Sequence, residues 1–241
     1  MGAVRIGLIG TGTMGSLHAR VVSESPRADL AWVSDPKPEA GRRAAERYRS
    51  TWLPEPDMAS VDAVIIAAAT QFHHQLAMQA IAAGKPLLVE KPLADTLEHA
   101  SEIVDASAAA GLPLLCGFLE RYNPAILTAM EFVERPIHVA ASRHSPYVPR
   151  IRTGVASDLL IHDLDVLLRV FDEEPAAAEG HLGFFHPDSA EGAEDMADAI
   201  VDFPSGGIGM ATASRTSQRK IRTLTITELD RQIELDLVRQ D

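Results

Sequence analysis

Three side chains late in the chain have the types and the spacing for proton transfer. Within residues 157–171, Asp158, His162 and Asp165 stand at i, i+4 and i+7, which on a regular helix is one stripe. An aspartate one turn before a histidine can accept a hydrogen bond from its ring, fix the tautomer and raise the imidazole pKa. A histidine tuned in this way takes a hydroxyl proton while a hydride leaves the adjacent carbon. A stripe that merely faces water is the plain alternative. A His/Asp pair can also ligate a metal, but no cluster of further ligands accompanies this one, so no metal is expected. Glu90-Lys91-Pro92 is the second candidate. It follows an apolar run, and a lysine at the end of a buried strand can hydrogen-bond a substrate hydroxyl, stabilise developing alkoxide charge and lower the pKa of a neighbouring histidine. Pro92 fixes the backbone and permits a cis bond. The plain alternative is a surface lysine.

Gly10, Gly12 and Gly15 form G-x-G-x-x-G between an apolar run at 4–9 and a helical pattern at 13–23. In a dinucleotide site the first glycine allows the tight turn, the second lets the backbone approach a pyrophosphate, and the third lets the helix pack close to the strand. The N–H groups of Thr11, Thr13 and Met14 then lie at a helix start that favours negative phosphates. Asp35 lies 20 positions after Gly15 at the end of a second strand (29–34), where such a fold puts the acid that accepts from the adenosine ribose hydroxyls. An acid there repels a 2′-phosphate, so NAD is expected, with Lys37 close enough to leave NADP open. An ordinary βα turn at the glycines and a turn aspartate before Pro36 are the competing readings.

The elements that must position these groups alternate. Strands at 4–9, 29–34, 62–67, 86–89 and 113–116, with a weak one near Trp52, are separated by helices at 13–23, 38–49, 71–83 and 96–110. That order implies a doubly wound parallel sheet of Rossmann type with right-handed crossovers, spanning 1–120, whose sites lie at strand carboxyl ends. Three loops qualify: 10–15, 68–74 and 90–92. From about residue 120 the pattern changes to a helix at 124–134, a strand at 137–143, the helix at 157–171, and strands at 178–185, 197–203, 207–214, 221–227 and 232–237. Strands in succession predict an α+β domain over 121–241 with an open, mainly antiparallel sheet and its helices on one face. The fold class is therefore α/β followed by α+β.

The formal net charge of −12 opposes binding to nucleic acid. No apolar run reaches the ~18 residues that would span a bilayer, and the apolar start belongs to the glycine motif, so neither a membrane span nor a signal peptide is expected. Cys116 is the only cysteine, which excludes an intrachain disulfide and fits a reducing cytoplasm.

The glycine loop, Glu90-Lys91-Pro92 and Asp158-x-x-x-His162 together resemble the Gfo/Idh/MocA oxidoreductase family over almost the whole chain. Arg121-Tyr122-Asn123-Pro124 looks like the family's segment that enters the second domain. The resemblance implies a dehydrogenase of sugars, polyols or nucleotide sugars, with Lys91, Asp158 and His162 as the catalytic group. It further implies that Glu90 and Lys91 touch the nicotinamide ribose, and that the loop carrying Ala68, Ala69, Thr70 and His73, together with Arg121, lines the dinucleotide. The family's second domain offers one sheet face to substrate and the other to a second subunit, which implies a homo-oligomer. The helix text 158–165 is similar to that of members acting on nucleotide sugars such as UDP-N-acetylglucosamine. Tyr147, Arg150 and Arg152 precede that helix, where they meet a sugar or phosphate or form a solvated loop. This chain departs from the family in Ala69-Thr70-Gln71, where Thr-Pro is usual, and in its thin glycine lead Gly154-Val-Ala-Ser. Family members also continue for some tens of residues past the position of Asp241. A dinucleotide-binding redox sensor or scaffold without turnover, and an imine or enone reductase, are the competing functions on the same fold.

Overall fold

The computed structural model describes residues 2–149 and 151–241. The chain forms two compact units, one reaching to Gly117 and the other running from Phe118 to Asp241.

The first unit alternates strand and helix: β1 (Val4–Ile9), α1 (Thr13–Glu24), β2 (Ala28–Ser34), α2 (Pro38–Tyr48), β3 (Thr51–Leu53), β4 (Ala63–Ile66), α3 (His73–Ala82), β5 (Leu87–Val89), α4 (Leu97–Ala109) and β6 (Leu114–Cys116). All its strands are parallel, in the order β3-β2-β1-β4-β5-β6. Successive residues of a strand face opposite sides of the sheet, and here both sides are covered. Leu8 and Ile65 pack with Ala19, Leu30 and Ala45. Their neighbours Ile9 and Ile66 pack with Ala77, Val89 and Ile103 on the other face. Two buried faces are why these strands read as continuous apolar runs. The strand order reverses between β1 and β4, so the crevice for a ligand opens at their carboxyl ends.

Gly10 turns the chain out of β1 at φ +90, and a Cβ there would lie 2.5 Å from the Ala67 carbonyl oxygen at the end of β4. Gly15 is held more tightly: a Cβ would sit 1.9 Å from the backbone oxygen of Gly10. The helix thus packs against the turn itself. Gly15→Ala is expected to destabilise the protein by about 1–3 kcal/mol, because the clash is with backbone that cannot rotate away. Urea unfolding checks this, and an unchanged midpoint would show that the helix start shifts at no cost. The helical pattern expected at 71–83 begins instead as a 3₁₀ turn (Thr70–Phe72) that leads into α3.

The second unit contains α5 (Pro124–Met130), β7 (His138–His144), α6 (Ile161–Phe171), β8 (Ala177–Gly183), β9 (Met196–Asp202), β10 (Ile208–Ser214), β11 (Ile221–Thr227) and β12 (Gln232–Asp236). Its sheet runs β12-β11-β7-β10-β9-β8, antiparallel throughout except for the parallel pair β7/β10. Both helices lie on one face. Val166, Leu167 and Phe171 of α6 and Ile126 and Ala129 of α5 pack over Val139, Ala211, Leu224 and Ile226 of the sheet.

Three expected boundaries move, for identifiable reasons. The helix expected to reach residue 134 ends at Met130, where the Glu228 carboxylate takes the amide of Glu134 at 2.7 Å and that of Arg135 and draws the chain away. The strand expected to reach residue 185 ends at Gly183, because the Phe185 and His186 amides donate to the buried Asp195 carboxylate, at 2.8 and 2.7 Å, rather than to a neighbouring strand. The helix expected over 157–171 opens as a π turn (Ala156–Leu160) before α6.

Candidate functional site

The glycine loop presents donors and leaves room for a ligand. Gly12 is the N-cap of α1 and offers no side-chain cap. Ser16 is the residue whose amide returns to the Gly12 carbonyl, so the amides of Thr13 and Met14 lie at the start of a 12-residue helix, where its dipole is positive. Among the described residues, no heavy atom beyond Gly12 and its own chain neighbours lies within 4 Å of the place a Gly12 Cβ would occupy. An open cradle beside uncapped donors fits a pyrophosphate.

Asp35 anchors this loop. Its Oδ2 accepts from the Thr11 amide at 2.8 Å and the Thr11 hydroxyl at 2.7 Å, and its Oδ1 accepts from the Lys37 amide at 2.9 Å. Burial pushes the carboxyl up, but the hydrogen bonds from Thr11 and Lys37 and the Lys37 charge outweigh it, so the group lies below its ordinary range. A carboxylate has about four lone-pair sites, so three donors leave capacity for a ribose hydroxyl.

The loop after β4 leaves Ala69 exposed and Ala68 and Thr70 half-buried. His73 faces inward. At 1% exposure it contributes no surface to a ligand; its Nδ1 lies 2.9 Å from the Pro92 carbonyl and its Nε2 3.0 Å from that of Ala68, so the ring braces one loop against the other. Glu90 is likewise buried. Its amide donates to Ile66, its Oε1 lies 2.7 Å from Nε2 of His18, and its Oε2 accepts from the Lys91 amide at 3.3 Å. Lys91 is half-buried, and Lys91-Pro92 is a cis peptide bond. His18, on α1, is a residue the sequence reading passed over. Its signal is its place three residues after the last glycine of the motif, one turn along the helix, on the side that meets the strand-end loops.

In the second unit the π turn sets the phase of the chemistry-bearing helix. Ile161 N–H reaches back to the Ala156 carbonyl, and the Glu194 carboxylate accepts from the Ala156 amide at 2.7 Å. Within the expected stripe of Asp158, His162 and Asp165 the burial differs from residue to residue. Asp158 and His162 are half-buried, with the Phe118 ring edge-on to His162 at 6.3 Å. Asp165 is buried and takes a bidentate pair from Arg121, Nη2 to Oδ1 at 2.6 Å and Nε to Oδ2 at 2.8 Å. Arg121 also stacks over Phe118 with its guanidinium 5.3 Å from the ring centre. Tyr147 stacks on His186 at 3.6 Å and donates to the Asp188 carbonyl at 2.6 Å. Arg152 is exposed, and Arg150 lies outside the described residues. Among the described residues no group of three or more His, Cys, Asp or Glu is placed to hold a metal.

Behind α6 lies a buried ionic cluster that the sequence did not reveal. Arg143, 1% exposed, donates to both oxygens of Asp163, at 2.9 and 2.7 Å, and to Glu120 at 2.8 Å. Glu120 also takes Asn123 at 2.9 Å and Arg222 at 3.3 Å. Burial pushes the Glu120 carboxyl up, but Arg143, Asn123 and Arg222 together hold it below its ordinary range.

A family model described as "Oxidoreductase family, NAD-binding Rossmann fold" matches residues 4–118, and the Gfo/Idh/MocA C-terminal domain matches residues 133–230. The inositol 2-dehydrogenase of Acidiphilium cryptum is 36% identical over 194 residues, which is 73% of this chain and 56% of that protein. Against such inositol dehydrogenases, the chain spans little more than half their length. The UDP-N-acetylglucosamine 3-dehydrogenase of Acidithiobacillus ferrooxidans is 31% identical over 239 residues, covering 98% of this chain and 74% of the relative. Its solved structure superposes on all of this chain and 79% of its own with a TM-score of 0.92. The chain belongs to the Gfo/Idh/MocA oxidoreductase family, with an NAD-binding Rossmann fold followed by that family's C-terminal domain.

Proposed function

We propose that the protein is an NAD(H)-dependent oxidoreductase that moves a hydride between nicotinamide and a carbinol carbon of a sugar, polyol or nucleotide sugar. The observation that carries this reading is the cradle of Gly10–Gly15 braced by Asp35, in a chain whose second domain supplies Asp158 and His162. When bound, the nicotinamide supplies the hydride acceptor or donor. His162 takes the hydroxyl proton on oxidation and returns it on reduction. Asp158 orients the imidazole, and Lys91 stabilises the oxygen as it gains negative charge. Thr13 and Met14 hold the pyrophosphate through their amides, and Asp35 accepts from the adenosine ribose. His73, Glu90 and His18 act as positioning residues, because their polar atoms are engaged within the protein.

Asp35 is an ionised acid where a 2′-phosphate would lie, so NAD is the expected cofactor. Asp35→Asn is expected to weaken NADH about tenfold, ~1.4 kcal/mol, and to narrow the gap to NADPH. Fluorescence titration of both cofactors measures this, and a preference for NADPH in the unaltered protein would refute it. The depressed Asp35 pKa also has a pH consequence. Its contribution is present above the ordinary value of 3.8 and is lost only as pH falls through the lower folded value, so Asp35 contributes no step to NADH affinity between pH 5 and 8.

The outer face of the second sheet carries Ile200 and Met210, each 43% exposed, and suits the proposed homo-oligomer contact. The lone cysteine suits the proposed cytoplasmic location, and no helix among the described residues is long and apolar enough to cross a membrane. Titrating NADH and then screening sugars, inositols and nucleotide sugars for cofactor-linked turnover tests the whole reading. NADH binding without turnover of any of them would mark a non-catalytic dinucleotide-binding protein.

A further inference from the structure

Asp165 is the member of the His/Asp stripe that the proposed chemistry leaves unused. It stands three residues after His162 on α6 and is 6% exposed. Its Oδ1 accepts from Nη2 of Arg121 at 2.6 Å, and its Oδ2 from Nε at 2.8 Å. A bidentate pair of this kind fixes the plane of the guanidinium as well as its position.

The guanidinium in turn faces an aromatic ring. Its carbon lies 5.3 Å from the centre of the Phe118 ring, within the reach of a cation–π contact. The same Phe118 ring meets His162 at 6.3 Å between ring centres and 88° between planes, the T-shaped arrangement that aromatic pairs favour. Phe118 is the N-cap of the 3₁₀ turn Leu119–Tyr122, so Phe118 and Arg121 stand at i and i+3 of one tight turn. His162 and Asp165 stand at i and i+3 of α6. Two residues of one element therefore grip two of the other, ring to ring and ion to ion. Nδ1 of His162 is buried, so a proton exchanged with a substrate oxygen passes through Nε2. The direction of Nε2 depends on rotation about the Cβ–Cγ bond, and a ring packed across the imidazole confines that rotation.

We propose that Phe118 is a positioning residue for His162, and that the Arg121–Asp165 pair is the strut that holds Phe118, so that the general acid/base is presented in one orientation. Asp165 balances Arg121, so the strut adds no net charge beside the imidazole. Holding a reacting group in one geometry raises kcat, because the ordering is done before the substrate arrives. The proposal rests on the oxidoreductase reading above.

The test uses the full chain with its histidine rings labelled with carbon-13, the His162 signal being identified by its loss in His162→Ala. Relaxation of that signal is expected to show a ring more mobile in Phe118→Leu and in Asp165→Asn than in the unaltered protein, and held again in Phe118→Tyr. With NAD as cofactor and inositol and UDP-N-acetylglucosamine as probes, Phe118→Leu should lower kcat about tenfold while KM and NADH affinity stay within about twofold. Phe118→Tyr should recover kcat to within about threefold of the unaltered protein. In a His162→Ala background Phe118→Leu should cost nothing further, since a residue that acts only through the imidazole has nothing left to position. Phe118→Leu leaves the ion pair in place, so it decides the matter even if Asp165→Asn folds poorly. A His162 ring equally ordered in Phe118→Leu, or a kcat loss of the same size with and without His162, overturns the positioning role. A protein whose ring responds as expected but which turns over neither probe nor any of the screened sugars refutes the oxidoreductase reading instead, so the two failures are distinct.

Discussion

Replacing His162 with alanine is expected to lower turnover by two to four orders of magnitude, about 3–5 kcal/mol, the range lost when a positioned general acid/base is removed. The proposed cofactor residues lie elsewhere in the chain, on α1, on the loops after β2 and β4, and at Lys91. NADH affinity is therefore expected to stay within about twofold. Asp158→Asn tests the orienting role separately: it keeps the size of the side chain and removes the charge, so turnover should fall about tenfold with NADH affinity unchanged. Single-turnover hydride transfer, followed by NADH absorbance across pH 5 to 9, reads both effects. Turnover of His162→Ala within tenfold of the unaltered protein would remove His162 from the mechanism.

Arg143→Ala should have the largest effect on stability, about 3–5 kcal/mol, because it strips two buried carboxylates of their shared cation. Asp163 and Glu120 have side chains only 3% and 9% exposed, so water cannot replace the guanidinium. The direction of the Glu120 shift gives a pH signature. A carboxyl held below its ordinary 4.5 contributes stability that is fully present above that value and lost as pH falls through the lower folded value. Urea midpoints at pH 7 and pH 4 for the unaltered protein and for Arg143→Ala measure both. Replacing Arg143 and Asp163 together with Met and Leu should recover part of the loss, since apolar side chains of similar size need no partner. A midpoint for Arg143→Ala equal to that of the unaltered protein would mean that the carboxylates are solvated or protonated without cost.

The alternation of strand and helix, the glycine loop and Asp35 were legible because each depends on near neighbours in sequence: apolar periods of two and 3.6 residues, a turn that only glycine tolerates, and an acid at a fixed distance from it. Handed crossovers then leave few sheet orders to choose from. In the second half, local pattern found the strands but not the parallel pairing of β7 with β10, because residues 145–207 intervene between them. The contacts that hold candidate residues within each unit span similar distances: His18 with Glu90 across 72 residues in the first, and Ala156 with Glu194 across 38 and Arg121 with Asp165 across 44 in the second.

Asp158, His162, Asp163 and Asp165 illustrate the division most closely. Their residue types and the helix that carries them could be read from the sequence, and so could the chemistry a His/Asp pair offers. Which of the carboxylates are engaged within the fold was decided by two arginines. Arg143 draws Asp163 inward and Arg121 engages Asp165, while Asp158 is left lining a cavity with Arg215, Lys220 and Arg222. By itself the sequence determined the fold class and the place of a dinucleotide cradle, because propensity and periodicity act over a few residues. Tertiary structure alone decided which carboxylates are spent on structure and which line a cavity. That choice depends on burial and on partners that come together only when the chain has folded.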